Sequence, residues 1–134
     1  MRTTLGKTDV EGEGIKITLK DGEEEVISED LLKLVNELKL AGAEAISIND
    51  QRIINLTDIV DVNSYILVNG QRLSSPFDIK AIGNQQYLSS GISSKGGYSD
   101  TIKTNGKNIS ISEEKNIKIN KYNEEIKLKT IKID

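Results

Sequence analysis

The sequence predicts an α+β fold in which a sheet carries helices on one face, and three patterns support the prediction. Apolar and polar residues alternate over residues 14–20, which is typical of a half-buried strand. An apolar stripe with spacings of three and four predicts an amphipathic helix over residues 28–41. Small and apolar residues at 44–48 then predict a strand. This order forms a β-α-β unit, so we expect 14–20 and 44–48 to be neighbouring parallel strands.

The predicted helix has recognisable ends. Ser28 can cap its N-terminus, and Gly42 can supply the left-handed conformation that ends many helices. Glu29 and Lys33 lie four residues apart in the orientation that favours an ion pair.

Beyond residue 50 the pattern predicts short strands, a hairpin and two short helices. Asn69-Gly70 separates two alternating segments, and both residues tolerate the positive φ of a type I′ hairpin turn. The predicted elements are a short strand and then a loop over 51–60, the hairpin strands 65–68 and 71–73, a strand at 77–82, a helix at 85–92 capped by Asn84, a helix at 98–105, strands at 109–111, 117–119 and 126–128, connectors at 113–116 and 122–125, and a bulge near Thr130.

Together these elements predict a ferredoxin-like α-β plait of order β-α-β-β-α-β with extra hairpin strands, whose mixed sheet has helices on one face. We expect residues 1–10 to be a lead-in or truncated linker and residues 11–134 to form a single α+β domain.

The composition excludes several classes of chemistry. The 134 residues are 36% hydrophobic and 29% charged, which is a globular balance. The chain has no His and no Cys, so disulfides, thiolate or imidazole metal sites, cysteine nucleophiles and His-based triads are excluded. A net charge of −3 argues against nucleic-acid binding.

One motif matches a catalytic pattern. Ser112 to Lys115 fits the Ser-x-x-Lys pattern of penicillin-recognising enzymes, in which the serine opens a buried helix. Here the motif lies in a predicted charged turn between strands, so we interpret the match as chance. We expect no catalytic residues, no cofactor, no cofactor-binding residues and no metal ligands, and we predict that the protein is not an enzyme.

Asn49 and Arg52 are the candidate interaction residues, because both are polar and follow a predicted strand. In the simpler interpretation Asn49 fixes the turn and Arg52 forms a surface ion pair. In the alternative interpretation the two side chains contact a partner or a small ligand.

A longer stretch, NELKLAGAEAISINDQRI at residues 36–53, resembles the signature of a known bacterial family. Further segments agree with it in order: VEGEGI at 10–15, VNG at 68–70, PFDIKAIG at 76–83, GG at 96–97 and IKI at 117–119. Over residues 10–133 the chain resembles the domain of unknown function 881 family, the YlxW/YlxX-like proteins.

The resemblance implies a location more than an activity. Members of the family typically have an N-terminal membrane-spanning helix and a coiled coil before this domain, which lies outside the cytoplasm. Some are encoded near cell-division and envelope genes, and no catalytic residues are established for them. We therefore expect the domain to lie on the extracytoplasmic face of the membrane. Its membrane contact would be only through an N-terminal anchor, which is missing from this sequence.

Two functions remain open. The first is a non-enzymatic extracytoplasmic interaction domain of a membrane-anchored bacterial protein, linked to cell division or the envelope. Such a domain would bind protein partners or a second copy as a homodimer, and no nucleic acid. The second is a small-ligand-sensing domain that binds between the sheet and residues 84–107. An enzyme would need a carboxylate, Ser/Lys or metal-based site, and none assembles from this sequence.

Overall fold

In the computed structural model, which describes residues 8–122, two antiparallel sheets and three helices form an α+β fold. The strands are β1 (Val10–Lys20), β2 (Ala45–Ile48), β3 (Gln51–Arg52), β4 (Ile59–Val62), β5 (Tyr65–Val68), β6 (Gln71–Leu73), β7 (Phe77–Ile82) and β8 (Asn108–Ile119). The helices are α1 (Ser28–Leu40), α2 (Gln85–Ser93) and α3 (Tyr98–Thr104).

The main sheet has five strands in the order β3-β2-β7-β1-β8. Ile79 of β7 pairs with Ile17 of β1 on one side and with Ile48 of β2 on the other. The expectation that β1 and β2 are neighbours is therefore wrong, although both run antiparallel to β7 and so share a direction. A helix is about 10 Å across, which equals two strand spacings of about 4.8 Å. Helix α1 can therefore connect β1 to β2 and leave room for β7 between them.

The small sheet, β4-β5-β6, is inserted between β3 and β7. Its hairpin turn confirms the sequence prediction, since Asn69 and Gly70 have φ values of 53° and 78°. The prediction of a loop up to residue 60 is wrong at its end, because Ile59 begins β4 and is buried in the core.

The core lies between the helices and one face of the main sheet. Ile15, Ile17 and Leu19 of β1 share it with the apolar stripe of α1, which confirms the predicted helix. The inner side of the small sheet adds Ile59, Ile66 and Val68 to the same core.

The N-terminus of α1 differs from the prediction, whereas its C-terminus agrees with it. Ser28 does not cap the helix but is its first residue, and its N–H and Oγ donate to the Asp61 carboxylate at 2.8 and 2.7 Å. At the other end Gly42 has φ 99°, and the N–H of Ala43 donates to the carbonyl of Leu38 at 2.9 Å, as in a Schellman motif.

Other local predictions are confirmed. The Asn84 side chain accepts from the N–H of Tyr87 at 3.0 Å and caps α2. The Nζ of Lys33 lies 3.1 Å from the Glu29 carboxylate.

The C-terminal region differs from the prediction. Residues 108–119 form the single strand β8, so the predicted turn at 113–116 is wrong. The register against β1 shifts there, because Glu114 pairs with Gly14 and Ile117 pairs with Gly12. This is a β-bulge, in which β8 carries one more residue than β1. The predicted strand at 126–128 and the bulge near Thr130 lie outside the described residues.

Strand β1 begins at Val10, earlier than the predicted start at residue 14.

Within residues 8–122, none of the helices has the length and apolar character needed to cross a membrane.

Candidate functional site

The second face of the main sheet, opposite the helices, is apolar at one end. The bulge in β8 causes this, because an extra residue turns every following side chain to the other face. Ile109 and Ile111 therefore pack against the main core, whereas Ile117 and Ile119 form a second cluster with Ile82.

The second cluster also requires a close approach of β1 to β7. A Cβ atom at Gly14 would overlap the carbonyl of Ala81, so only glycine fits there. At Gly12 a Cβ atom would lie 3.4 Å from Ile82, which is ordinary contact. The start of β1 and the end of β8 thus fold together over β7 and β2.

Arg52 is buried at the rim of this cluster, with 2% of its surface exposed. Its Nη1 donates to the backbone carbonyls of Thr8 at 3.0 Å and Asn120 at 3.2 Å. Burial lowers the pKa of Arg52 from its ordinary value, and the nearby charge of Asp9 opposes this shift. The expected surface position of Arg52 is therefore wrong, because the side chain is buried and ties β3 to the start of β1 and the end of β8.

The small sheet is connected to the same arginine through its backbone. The side-chain nitrogen of Asn69, which is buried, donates to the carbonyl of Arg52 at 2.8 Å. The hairpin turn is thereby fixed against β3.

Asn49 serves a turn. Asn49 and Asp50 have φ values of 47° and 69° and connect β2 to β3. The N–H of Asn49 donates to the carbonyl of Asp78 at 2.8 Å, and its Oδ1 accepts from the N–H of Asp78 at 2.6 Å. These contacts agree with the simpler interpretation of Asn49, and its predicted partner contact stays a prediction.

A polar cleft occupies the other end of the second face, with a volume of about 400 Å³. Its polar lining consists of Lys16, Thr18, Asn49, Asp50, Asp78 and Lys80. Lys16 pairs directly with Lys80 across β1 and β7, and Thr18 pairs with Asp78. Asn49 thus lines this cleft, whereas Arg52 lies at the rim of the second apolar cluster. The two predicted residues therefore do not form one site.

The small sheet has an exposed side, here called the outer face, formed by Val60, Val62, Tyr65, Leu67 and Arg72. These residues lie opposite the core-facing Ile59, Ile66 and Val68 by strand alternation and register. The guanidinium of Arg72 lies 5.1 Å from the centre of the Tyr65 ring, which is cation–π geometry. Solvent-facing sides of antiparallel sheets are usually polar, so an apolar outer face is an exception.

The region proposed for ligand sensing contributes side chains to the core. Leu88 and Ile92 of α2 and Tyr98 and Ile102 of α3 are buried in the main core. These four side chains therefore pack into the space between the sheet and residues 84–107.

A buried ion pair lies at the end of this region. The Nζ of Lys107 is 2.8 Å from the Asp30 carboxylate, with side-chain exposures of 9% and 10%. The Tyr98 hydroxyl donates to the Asp30 carbonyl at 2.6 Å. Burial, reinforced by the charge of Asp30, raises the pKa of Tyr98. These groups hold α1 to the start of β8.

The Ser-x-x-Lys match lies on β8, in a strand and not at a helix start. The Ser112 hydroxyl donates to the Glu114 carboxylate at 3.0 Å. Among residues 8–122, no group of three or more His, Cys, Asp or Glu side chains is arranged to hold a metal ion.

Comparison with known proteins places the chain in a family. Residues 1–132 match the family described as "Bacterial protein of unknown function (DUF881)". The chain belongs to the DUF881 family.

Curated DUF881 relatives are longer than this chain. The UPF0749 protein YlxW of Bacillus subtilis is 30% identical over 128 residues, which cover 88% of this chain and 55% of YlxW. The UPF0749 protein Rv1825 of Mycobacterium tuberculosis is 36% identical over 106 residues, covering 76% of this chain and 36% of Rv1825. The chain therefore spans about half of YlxW and about a third of Rv1825.

A solved structure agrees with the fold. An uncharacterized conserved protein from Mycobacterium tuberculosis superposes with a TM-score of 0.82 and 31% identity, covering 90% of this chain and 87% of that chain. The DUF881 prediction from the 36–53 signature is thus confirmed.

Sequence reasoning missed the cleft and the outer face. Alternation does place Lys16 and Lys80 on solvent-facing sides of their strands. It does not reveal that β1 and β7 are neighbours, so the cleft had no signal in the sequence. The outer face had a weak signal, because both alternating positions of β5 are apolar.

Proposed function

We propose that this DUF881 chain is a non-enzymatic extracytoplasmic interaction domain of a membrane-anchored bacterial protein, linked to cell division or the envelope. Within the described residues, the buried charged groups form structural contacts, as Arg52 and Lys107 illustrate. These structural roles of the buried charges support a binding role for the exposed surfaces.

The outer face of the small sheet carries the proposal. Four of its five side chains are apolar, and the fifth is an arginine stacked on a tyrosine. Tyrosine and arginine are enriched where protein interfaces gain most of their binding energy. Val60 and Arg72 are exposed and Val62, Tyr65 and Leu67 are half-buried, so part of this face is open to a partner.

We assign a second copy of the chain as the partner. Two outer faces can pack around a two-fold axis parallel to β5, which places β4 of one copy against β6 of the other. Asp58 is exposed and lies two residues before Val60, on the same side by alternation. Because Val60, Leu67 and Arg72 form one row across the sheet, the axis places Val60 of one copy opposite Arg72 of the other, with Asp58 about 7 Å further along the strand direction. Leu67 lies near the axis.

The predicted contact is weak. Three strands of about four residues give a face of about 200 Å², taking a spacing of about 4.8 Å and a rise of about 3.4 Å. Stable interfaces bury about 800 Å² on each partner, so this face can only be the centre of a transient contact. Tethering two copies to a membrane would raise their effective concentration towards about 1 mM, where weak contacts form.

Sedimentation equilibrium of the chain tests this proposal. We expect a concentration-dependent dimer with a Kd of about 0.1 to 1 mM. Leu67→Glu should weaken the dimer by at least about tenfold, because it buries a charge near the axis. Leu40→Glu is the matched control, since Leu40 is 81% exposed on α1. A chain that stays monomeric, or a dimer that Leu67→Glu leaves intact, contradicts the proposal.

The location needs its own test in a bacterium that makes the protein. The natural full-length protein should fractionate with the membrane, and this domain should be cleaved by protease added to intact protoplasts. A cytoplasmic enzyme in the same cells should stay intact. Protection of the domain until the cells are lysed would contradict the extracytoplasmic assignment.

We further propose that the fold is a ferredoxin-like plait with β3 to β6 inserted. The order β2-β7-β1-β8 supports this, because a plait of β-α-β-β-α-β order places its third strand between the first two and its fourth outside the first. An experimental structure tests it: a main sheet in which β1 and β2 are adjacent would contradict the plait.

The alternative, a ligand-sensing domain with its pocket between the sheet and residues 84–107, has less support because four side chains of that region are buried in the core. A thermal-shift screen with metabolites and cell-wall fragments tests it. A ligand at a hundredfold excess over its Kd adds about 2.7 kcal/mol of stability. A shift abolished by enlarging a residue in that space would favour sensing over self-association.

A further inference from the structure

We propose that the polar cleft on the second face of the main sheet binds a small zwitterion, with a carboxylate next to an ammonium group, as in an amino acid or a short peptide. This inference is independent of self-association, because the cleft and the outer face belong to different sheets.

Two lysines form one wall of the cleft. Lys16 and Lys80 are directly opposite each other in the β1–β7 register. Such partners have Cβ atoms about 5 Å apart, and like charges at this spacing destabilise a sheet. Lys80 has a carboxylate, Asp50, at 3.4 Å, whereas no carboxylate among residues 8–122 is in ion-pair contact with Lys16. A carboxylate placed between the two ammonium groups relieves this repulsion.

Two aspartates limit the charge of the ligand. Asp78 is two residues before Lys80 on the same face of β7, which places it about 7 Å along the strand. Asp50 lies at the turn that borders the cleft. These carboxylates repel a phosphate ester or a dicarboxylate, and they accept hydrogen bonds from an ammonium group. The cleft therefore fits a ligand with both charges better than an anion.

The cleft is formed by fixed backbone. Asn49 and Asp78 exchange two hydrogen bonds, of 2.6 and 2.8 Å, which hold the β2–β3 turn beside β7. The Thr18 hydroxyl donates to Asp78 at 3.4 Å. The volume of about 400 Å³ lies in the range of small-molecule sites. None of the lining residues is aromatic, so the cleft offers no ring on which a base or a sugar could stack.

Amide NMR titration of the chain with the dipeptide alanylalanine tests the proposal. We expect saturable shifts confined to β1, β7 and the Asn49–Asp50 turn. N-acetylalanine lacks the ammonium group, alanine amide lacks the carboxylate, and inorganic phosphate is an anion alone; each should bind at least about tenfold more weakly. No saturable shift, or equal binding of N-acetylalanine or phosphate, would overturn the zwitterion site.

Lys16→Glu separates binding from folding. The variant replaces the Lys16–Lys80 pair with opposite charges, so the melting temperature should stay the same or rise. Binding of alanylalanine should nevertheless fall by at least about tenfold, because the carboxylate loses one of its two cations. Lys95→Glu makes the same charge change at an exposed loop residue and should bind as the unmodified chain does. A folded Lys16→Glu variant with undiminished binding would overturn the proposal.

Discussion

At the scale of single residues, two buried cations connect segments that are far apart in the sequence. Arg52 reaches the backbone of Thr8 and Asn120, and Lys107 reaches the carboxylate of Asp30. Arginine and lysine usually lie on the protein surface, so no local pattern predicts that these two side chains are buried. Their role follows from the tertiary contacts alone.

Lys107→Met should lower the free energy of unfolding by about 3 kcal/mol, because it leaves the buried Asp30 carboxylate without its cation. Urea denaturation measures the loss. The double variant with Asp30→Asn should recover part of it, since an amide carries no charge and can still accept from the N–H of Ile27. A single variant as stable as the original chain would contradict this role.

Arg52→Met should lower the free energy of unfolding by about 2 kcal/mol, because two carbonyls lose their donor. Hydrogen exchange should accelerate most at the start of β1 and the end of β8. Arg72→Met is the matched control on the outer face, with an expected change within about 0.5 kcal/mol. Equal effects of the two substitutions would show that Arg52 does not hold these strand ends.

At the scale of elements, the sequence predicts turns, caps and helix ends best, because contacts within a few residues determine them. The Asn69-Gly70 turn, the Asn84 cap and the stop at Gly42 follow from side chains and φ preferences within a few residues. The turn predicted at 113–116 fails because charged residues suit a bulge in a long strand as well as a turn. The bulge is set by pairing with β1, which is a long-range contact.

Gly14→Ala should destabilise the chain by about 2 kcal/mol or more, because its Cβ would overlap the backbone of Ala81 and separate β1 from β7. Gly12→Ala is the matched control, with its Cβ in ordinary contact with Ile82, and should cost less than about 1 kcal/mol. Urea denaturation compares the two. Similar losses would mean that the close approach at Gly14 is not required.

At the scale of the whole molecule, the α+β class and the helix-covered face could be predicted from periodicity. The position of β7 between β1 and β2 could not, since strand order depends on contacts that no local pattern records. For the same reason the sequence identified Asn49 but not Lys16 and Lys80, which meet only through that strand order. Arg52 was found as a candidate for its polarity, and the structure assigns it a buried structural contact.

Disulfide trapping tests the central claim, that the outer face is where two copies meet, most directly. The chain contains no cysteine, so a single introduced thiol can pair only with its counterpart in another copy. Leu67 lies near the proposed two-fold axis, and oxidised Leu67→Cys should form a covalent dimer several times faster than the exposed control Leu40→Cys. Equal rates for the two variants, despite the greater exposure of Leu40, would contradict the interface.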